Sequence, residues 1–179
     1  LQRRLGLLGR HVLDQLSADG SRLRVLIVEP GPGLSVTDVH NGWVKGLRAA
    51  GADVVEYRLG DRVEAFLGYR WYDTGDPVFD DVEGAIRAAL EPLGSWVLEF
   101  RPDLVLFVTG CWIYAGAVDT LRAFTKVGFL FTESPYQDDS QVLRAAHADV
   151  SIINDPTHLD RYLEVCKNTL YVPHSYDPD

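Results

Sequence analysis

The chain has 179 residues, of which 46% are hydrophobic, so it can form one domain with a substantial core. Its formal net charge of -9 at pH 7 excludes a surface of clustered lysines and arginines, which direct binding of nucleic acid requires. Its two cysteines are too few for a disulfide framework or a four-cysteine zinc site, and a reducing, cytoplasmic location is expected.

The first predicted element is an amphipathic helix at residues 1–20, in which leucines and valines recur at helical spacing before Gly20. This segment lacks the apolar run of a membrane span or a signal peptide. Residues 24–29 follow as a β-branched run typical of a strand covered on both faces. The run leads directly into the loop Pro30-Gly31-Pro32-Gly33.

A helix capped by Thr37 or Asp38 and closed by Gly51 is predicted next, before a second strand at residues 53–57. Residues 60–76 mix aromatic residues with charges and glycines, which predicts an insertion or a surface loop. The aromatic residues at 66–72 either stack on an acceptor substrate or form a satellite core.

The second half of the chain alternates regularly between helices and strands. A long helix is predicted at residues 79–100, with a break or kink at Pro92 and Gly94. This alternation predicts right-handed βαβ units and an α/β fold, a Rossmann-like parallel sheet with helices on both faces. The later elements are strands at 104–108, 127–131, 150–153 and 169–172, and helices at 113–125, 140–146 and 156–165.

Ligands of an open parallel sheet bind beyond the carboxyl ends of its strands. Small, hydroxylic and glycine residues follow the predicted strands, and they leave backbone N–H groups and space for a ligand. We therefore expect a substrate to contact Gly31, Gly33, Ser35, Thr109, Gly110, Thr132, Tyr136, Asn154 and His174.

The glycine loop is compatible with two interpretations. It contacts a phosphate or substrate, or it is a plain tight turn, since a G-x-G-x-x-G motif fails at Val36. Glu56, near the end of the second strand, occupies the position of a ribose-binding acid in a dinucleotide fold. A nucleotide- or dinucleotide-binding domain is therefore one alternative function.

Two residues are candidate catalytic bases. Glu133 follows an apolar strand, so it lies at the crevice with limited solvation; the alternative is a carboxylate that hydrogen-bonds loop amides. His40 begins the helix after the glycine loop and acts as a base, or is structural or solvent-exposed. Asp138 and Asp139 are interpreted as caps of a helix that begins near Ser140.

The sequence contains none of the motifs that bind a catalytic metal, and no G-x-S-x-G elbow of a serine hydrolase. His11, His147 and His158 fall on predicted helices without paired ligands. No metal is expected.

Four short motifs, in order, resemble the amino-terminal domain of CgeB-like glycosyltransferases, which have the GT-B fold. They lie at residues 33–39, at Thr132-Glu133-Ser134-Pro135-Tyr136 with its following acidic residues, at Asn154-Asp155, and at residues 171–177. The resemblance extends from residue 24 to the end of the chain.

The resemblance implies a metal-independent transferase that moves a sugar from a nucleotide-sugar donor to an unknown acceptor. It implies that residues 21–172 form the acceptor-side domain, and that residues 173–179 begin a linker to a donor-binding domain outside this sequence. The nucleotide sugar is then a co-substrate, and no cofactor is needed. The alternative to catalysis is a non-catalytic binding or assembly module with a GT-B-like half fold.

Overall fold

The computed structural model describes residues 22–31, 36–74 and 82–173, so the predicted helix at residues 1–20 lies outside the described residues. No helix within these ranges combines the length and the apolar composition needed to cross a membrane. The strands are β1 (Arg24–Val28), β2 (Asp53–Tyr57), β3 (Leu104–Val108), β4 (Lys126–Phe131), β5 (Val150–Ile153) and β6 (Thr169–Tyr171). The helices are α1 (Thr37–Ala49), α2 (Leu59–Thr74), α3 (Val82–Leu90), α4 (Leu93–Phe100), α5 (Ala115–Arg122), α6 (Asp138–Ala145) and α7 (Leu159–Val165).

The six strands form one parallel sheet in the order β2-β1-β3-β4-β5-β6. From β3 onwards each strand lies beside its predecessor, whereas β2 lies on the other side of β1. The order therefore reverses between β1 and β3, which is the switch point where open α/β sheets bind ligands. The predicted Rossmann-like α/β fold is confirmed.

Successive side chains of each strand point to opposite faces of the sheet, and the two faces carry different helices. On one face, Val25 and Ile27 of β1 pack in a cluster with Val44 of α1. On the other face, Leu26 and Val28 belong to a cluster that includes side chains of α2 to α7. Right-handed crossovers explain this division, because only the β1-to-β2 connection runs in the opposite direction across the sheet.

A row of aromatic rings fills the core under β3, β4 and α7. The ring centroids of Phe107 and Phe129 are 5.3 Å apart, those of Phe129 and Phe131 5.3 Å, and those of Phe131 and Tyr162 5.6 Å. Each of these side chains is almost completely buried. Burial of one such ring stabilises the fold by roughly 1.5–3 kcal/mol, so the row holds α7 firmly on the sheet.

Several predicted boundaries agree with the structure. The strands at residues 53–57 and 150–153 coincide with β2 and β5, and the expected helix break separates α3 from α4 at Pro92. Gly51 ends α1 with a φ of 95°, a conformation that favours glycine. The predicted cap of α1 is wrong: Val36 is the N-cap without a side-chain hydrogen bond, and Thr37 and Asp38 lie inside the helix.

The predicted loop at residues 60–76 is also wrong, because α2 spans Leu59–Thr74. Val63, Phe66 and Leu67 recur at the i, i+3, i+4 spacing of one helix face, and all three pack against the core. This burial outweighs the helix-weakening effect of the glycines in the segment.

A substitution at Gly110, which follows β3, tests how tightly the sheet edge is packed. Its φ is 65°, and a Cβ built on it overlaps the ring of Phe129. We expect Gly110→Ala to lower the free energy of unfolding by about 2–4 kcal/mol, because left-handed strain adds to overpacking. Urea titration followed by tryptophan fluorescence measures the change.

Gly46→Ala is the matched control, because Gly46 lies inside α1 and an added Cβ meets no atom within 4 Å. This substitution is expected to raise the free energy of unfolding by up to about 1 kcal/mol. Similar destabilisation by both substitutions would contradict the close packing at Gly110.

Candidate functional site

The carboxyl ends of the parallel strands bring distant segments of the chain to one edge of the sheet. The connections after β1, β3, β4 and β5 all begin at this edge. It carries the predicted residues Gly31, Thr109, Gly110, Thr132, Glu133, Tyr136 and Asn154. Gly33, Ser35 and His174 lie outside the described residues.

The switch point between β1 and β3 is closely packed around Gly31. Gly31 has a φ of 89°, and a Cβ built on it would lie 2.9 Å from Cδ1 of Trp112. Only glycine therefore allows the β1 loop to approach the indole, whose buried Nε1 has no hydrogen-bond partner among the described residues. An unpaired donor is left at this point of the edge.

Thr109 ends β3 in an unusual conformation. Its φ is 58°, which is strained for a β-branched residue. The residue is completely buried, and its backbone N–H donates to the carbonyl of Leu130 at 2.8 Å. Its Oγ1 has no partner in the described part of the chain, although a hydrogen-bonded hydroxyl is the rule for a buried threonine.

His40 lies in the first turn of α1 and is only 1% exposed, so the interpretation of a solvent-exposed histidine is wrong. Its Nδ1 lies 3.3 Å from Oδ1 of Asn41, while Nε2 has no hydrogen-bond partner within the described ranges. The role of His40 as a base stays a prediction.

The segment after β4 contains both buried and exposed side chains. Thr132 Oγ1 donates to Glu133 Oε1 at 3.2 Å, and the half-buried Glu133 stays a predicted base. Tyr136 is 91% exposed at the same edge, and an exposed aromatic ring can stack on a sugar.

Asp138 is the residue that sequence reasoning placed wrongly. Helix α6 begins at Asp138 after the N-cap Gln137, so Asp138 is not a cap of a helix near Ser140. Its side chain turns inward and is almost fully buried, where it accepts hydrogen bonds from Ser134 Oγ and from Tyr162 OH, the latter at 2.7 Å. Asp139 remains exposed and pairs with Arg161 at 2.6 Å.

His158, predicted to lie on a helix without a paired metal ligand, is the N-cap of the helix α7, and its Nδ1 contacts Oδ2 of Asp138. Since an ionised carboxylate only accepts hydrogen bonds, Nδ1 carries the proton and Nε2 of a neutral ring keeps its lone pair. His147 is likewise paired, through Nδ1 to Asp119 at 3.0 Å. His11 lies outside the described residues.

The surroundings keep Asp138 ionised and Tyr162 protonated. Burial alone would raise the pKa of Asp138, but hydrogen bonds from Ser134, Tyr162 and His158 outweigh burial and hold the pKa below its ordinary value. Burial and the hydrogen bond to Asp138 raise the pKa of Tyr162 well above its ordinary value. The network is thus a fixed acceptor surrounded by donors.

Asn154 ties the β5 loop to this network, because its Nδ2 donates to the carbonyl of Ser134 at 3.2 Å. The Oδ1 of Asn154 is buried without a partner. The amide therefore holds the loop after β4 and leaves an acceptor at the edge.

Other sites suggested by the sequence receive less support from the geometry. Glu56 is bound by Arg48 at 2.9 Å, so its carboxylate is already occupied by a cation. Across residues 22–31, 36–74 and 82–173, no three His, Cys, Asp or Glu side chains come together as a metal site.

Comparison with known proteins identifies no relative: neither a protein-family model nor a curated protein matches the chain.

Asp138→Asn tests the buried network through its pH dependence. Because the pKa of Asp138 is lower in the folded state than its unfolded value of about 3.9, its ionised form stabilises the fold above about pH 4. This contribution is lost as the pH falls through the folded-state pKa. We expect Asp138→Asn to lower the free energy of unfolding by about 3 kcal/mol at pH 7, and by less below pH 4.

Urea titrations between pH 3 and pH 7 measure this difference. Asp139→Asn is the control, because Asp139 is exposed and its ion pair with Arg161 contributes at most about 1 kcal/mol. A destabilisation by Asp138→Asn that is constant over this pH range would contradict the ionised network.

Proposed function

We propose that this chain is the amino-terminal, acceptor-side half of a GT-B glycosyltransferase resembling the CgeB-like enzymes. It would act with a donor-binding domain of the same polypeptide and transfer sugar from a nucleotide sugar to an acceptor hydroxyl. The parallel Rossmann-like sheet, with its switch point between β1 and β3, supports this proposal, together with the motifs at residues 132–136 and 154–155.

The observation that carries the proposal is the conformation and burial of Thr109. Its left-handed backbone costs about 1–2 kcal/mol, and a buried hydroxyl without a partner costs about 1–3 kcal/mol more. Strain and unpaired polar atoms of this kind concentrate where a protein binds a ligand. A sugar hydroxyl that enters the crevice would supply the missing partner.

Three more buried polar atoms at this edge have no partner in the part of the chain that the structure describes: His40 Nε2, Trp112 Nε1 and Asn154 Oδ1. Together they offer both donors and acceptors, as a ligand with many hydroxyl groups requires. Tyr136 adds an exposed aromatic ring on which a sugar can stack.

Thr109→Val is the substitution that tests this function. Valine has nearly the same shape but no hydroxyl, so we expect the free energy of unfolding to be unchanged or raised. We expect kcat/KM for release of nucleoside diphosphate from the preferred nucleotide sugar to fall about tenfold, which corresponds to one lost hydrogen bond. The natural full-length polypeptide is assayed with a panel of uridine, guanosine and thymidine diphosphate sugars.

Ser151→Ala is the matched control, because Ser151 in β5 is also fully buried with an unpartnered Oγ but lies within the strand. It should leave kcat/KM unchanged. Binding of a nucleotide sugar without release of the diphosphate would instead favour the binding module. If no member of the panel binds, the transferase proposal fails.

A further inference from the structure

The pair formed by Asp138 and His158 has the geometry of a positioned base. Asp138 holds the Nδ1 proton of His158, and Ser134 and Tyr162 hold Asp138 in turn. This fixes both the orientation of the imidazole ring and its tautomer. Among the described residues, Nε2 of His158 has no hydrogen-bond partner, so its lone pair is available.

The position of His158 fits a role in chemistry better than a role in the core. Asp138 is buried, but the side chain of His158 is 40% exposed. His158 directly precedes α7 in the connection after β5, and therefore lies at the same sheet edge as Asn154 and Tyr136. A purely structural link between α6 and α7 would not require an exposed ring nitrogen.

The charges around His158 come from its own connection and from both helices. Asp155 precedes it and accepts a hydrogen bond from the N–H of Thr157 at 2.7 Å. Asp139 and Arg161 neutralise each other across α6 and α7. The carboxylates of Asp138 and Asp155 are thus the unneutralised charges that act on the ring in the described part of the chain.

We propose that Nε2 of His158 is the general base that activates the acceptor hydroxyl, with Asp138 as its positioning residue. This inference rests on the proposed glycosyl transfer and makes it more specific, because it assigns the base and the stereochemistry. Nε2 takes the hydroxyl proton while the acceptor oxygen bonds to the anomeric carbon of the donor sugar. The bond from that carbon to the diphosphate breaks, and the nucleoside diphosphate leaves with the electron pair.

The proposed step is a single displacement, in which the acceptor oxygen attacks the anomeric carbon directly and inverts the anomeric configuration. With methanol as a surrogate acceptor, the methyl glycoside formed by the natural full-length polypeptide should have the configuration opposite to that of the donor. Proton NMR of the product reads this directly. A product with retained configuration would overturn the assignment of His158 as a base.

His158→Asn separates the catalytic role from a structural one. The asparagine amide can still donate to Asp138 where Nδ1 did, but it has no group to replace Nε2. We expect kcat to fall by about 10²–10⁴-fold with KM little changed, and the urea midpoint to stay the same. The acidic limb of kcat/KM in the wild-type protein should vanish in His158→Asn.

His147→Asn is the matched control, because His147 makes the same Nδ1 contact with a carboxylate but lies near the amino end of β5, at the opposite edge. It should leave kcat and the pH profile unchanged. If His158→Asn turns over at the wild-type rate, this inference alone is overturned. If the wild-type protein itself shows no turnover, the proposed function fails as well. Nitrogen NMR that places the His158 proton on Nε2 would also overturn it, without any assay of activity.

Discussion

The parallel direction of all six strands is the constraint on which the rest of the structure depends. It requires every strand to end at the same edge, and every return connection to cross a face of the sheet as a helix. Residues far apart in sequence, such as Gly31, Thr109 and Asn154, therefore share one edge. The order β2-β1-β3 places the switch point of the sheet there, because the connections after β1 and β3 diverge to opposite faces.

The buried carboxylate of Asp138 organises one end of this edge. A charge in an apolar interior is tolerated only when hydrogen-bond donors satisfy it, and Asp138 has three donors from three different segments. The loop after β4 supplies Ser134, the connection before α7 supplies His158, and α7 itself supplies Tyr162. The three hydrogen bonds to this one carboxylate thus fix two helices and a loop relative to one another.

The strands were predictable because a strand buried on both faces needs a continuous apolar run, which is a local property of the sequence. Helix α2 was not predictable, because its glycines and charged residues are typical of a loop. Only the packing of Val63, Phe66 and Leu67 against the core stabilises it as a helix. The role of Asp138 depends on where α6 begins, and helix ends shift by one or two residues under tertiary contacts.

One local signal could have revealed the network. His158 and Tyr162 are four residues apart, which places them on one side of a helical turn, where both can reach the same neighbour. Asp138, which accepts both hydrogen bonds, lies twenty residues before His158 in the sequence, and no local pattern joins the two segments. Only the pairing of β4 with β5 brings α6 and α7 together.

The side chains at the two ends of the edge are held in different ways. Near β1 and β3, Thr109 Oγ1 and Trp112 Nε1 are buried without partners among the described residues, and in the proposed function a polar ligand would supply those partners. Near β4 and β5, Asp138 is saturated with donors and gains nothing more from a ligand. Its contribution is to hold His158 in one tautomer and orientation before any ligand arrives. In the proposed transfer, the unpaired atoms near β1 and β3 would bind the sugar, and the imidazole held by Asp138 would take the proton.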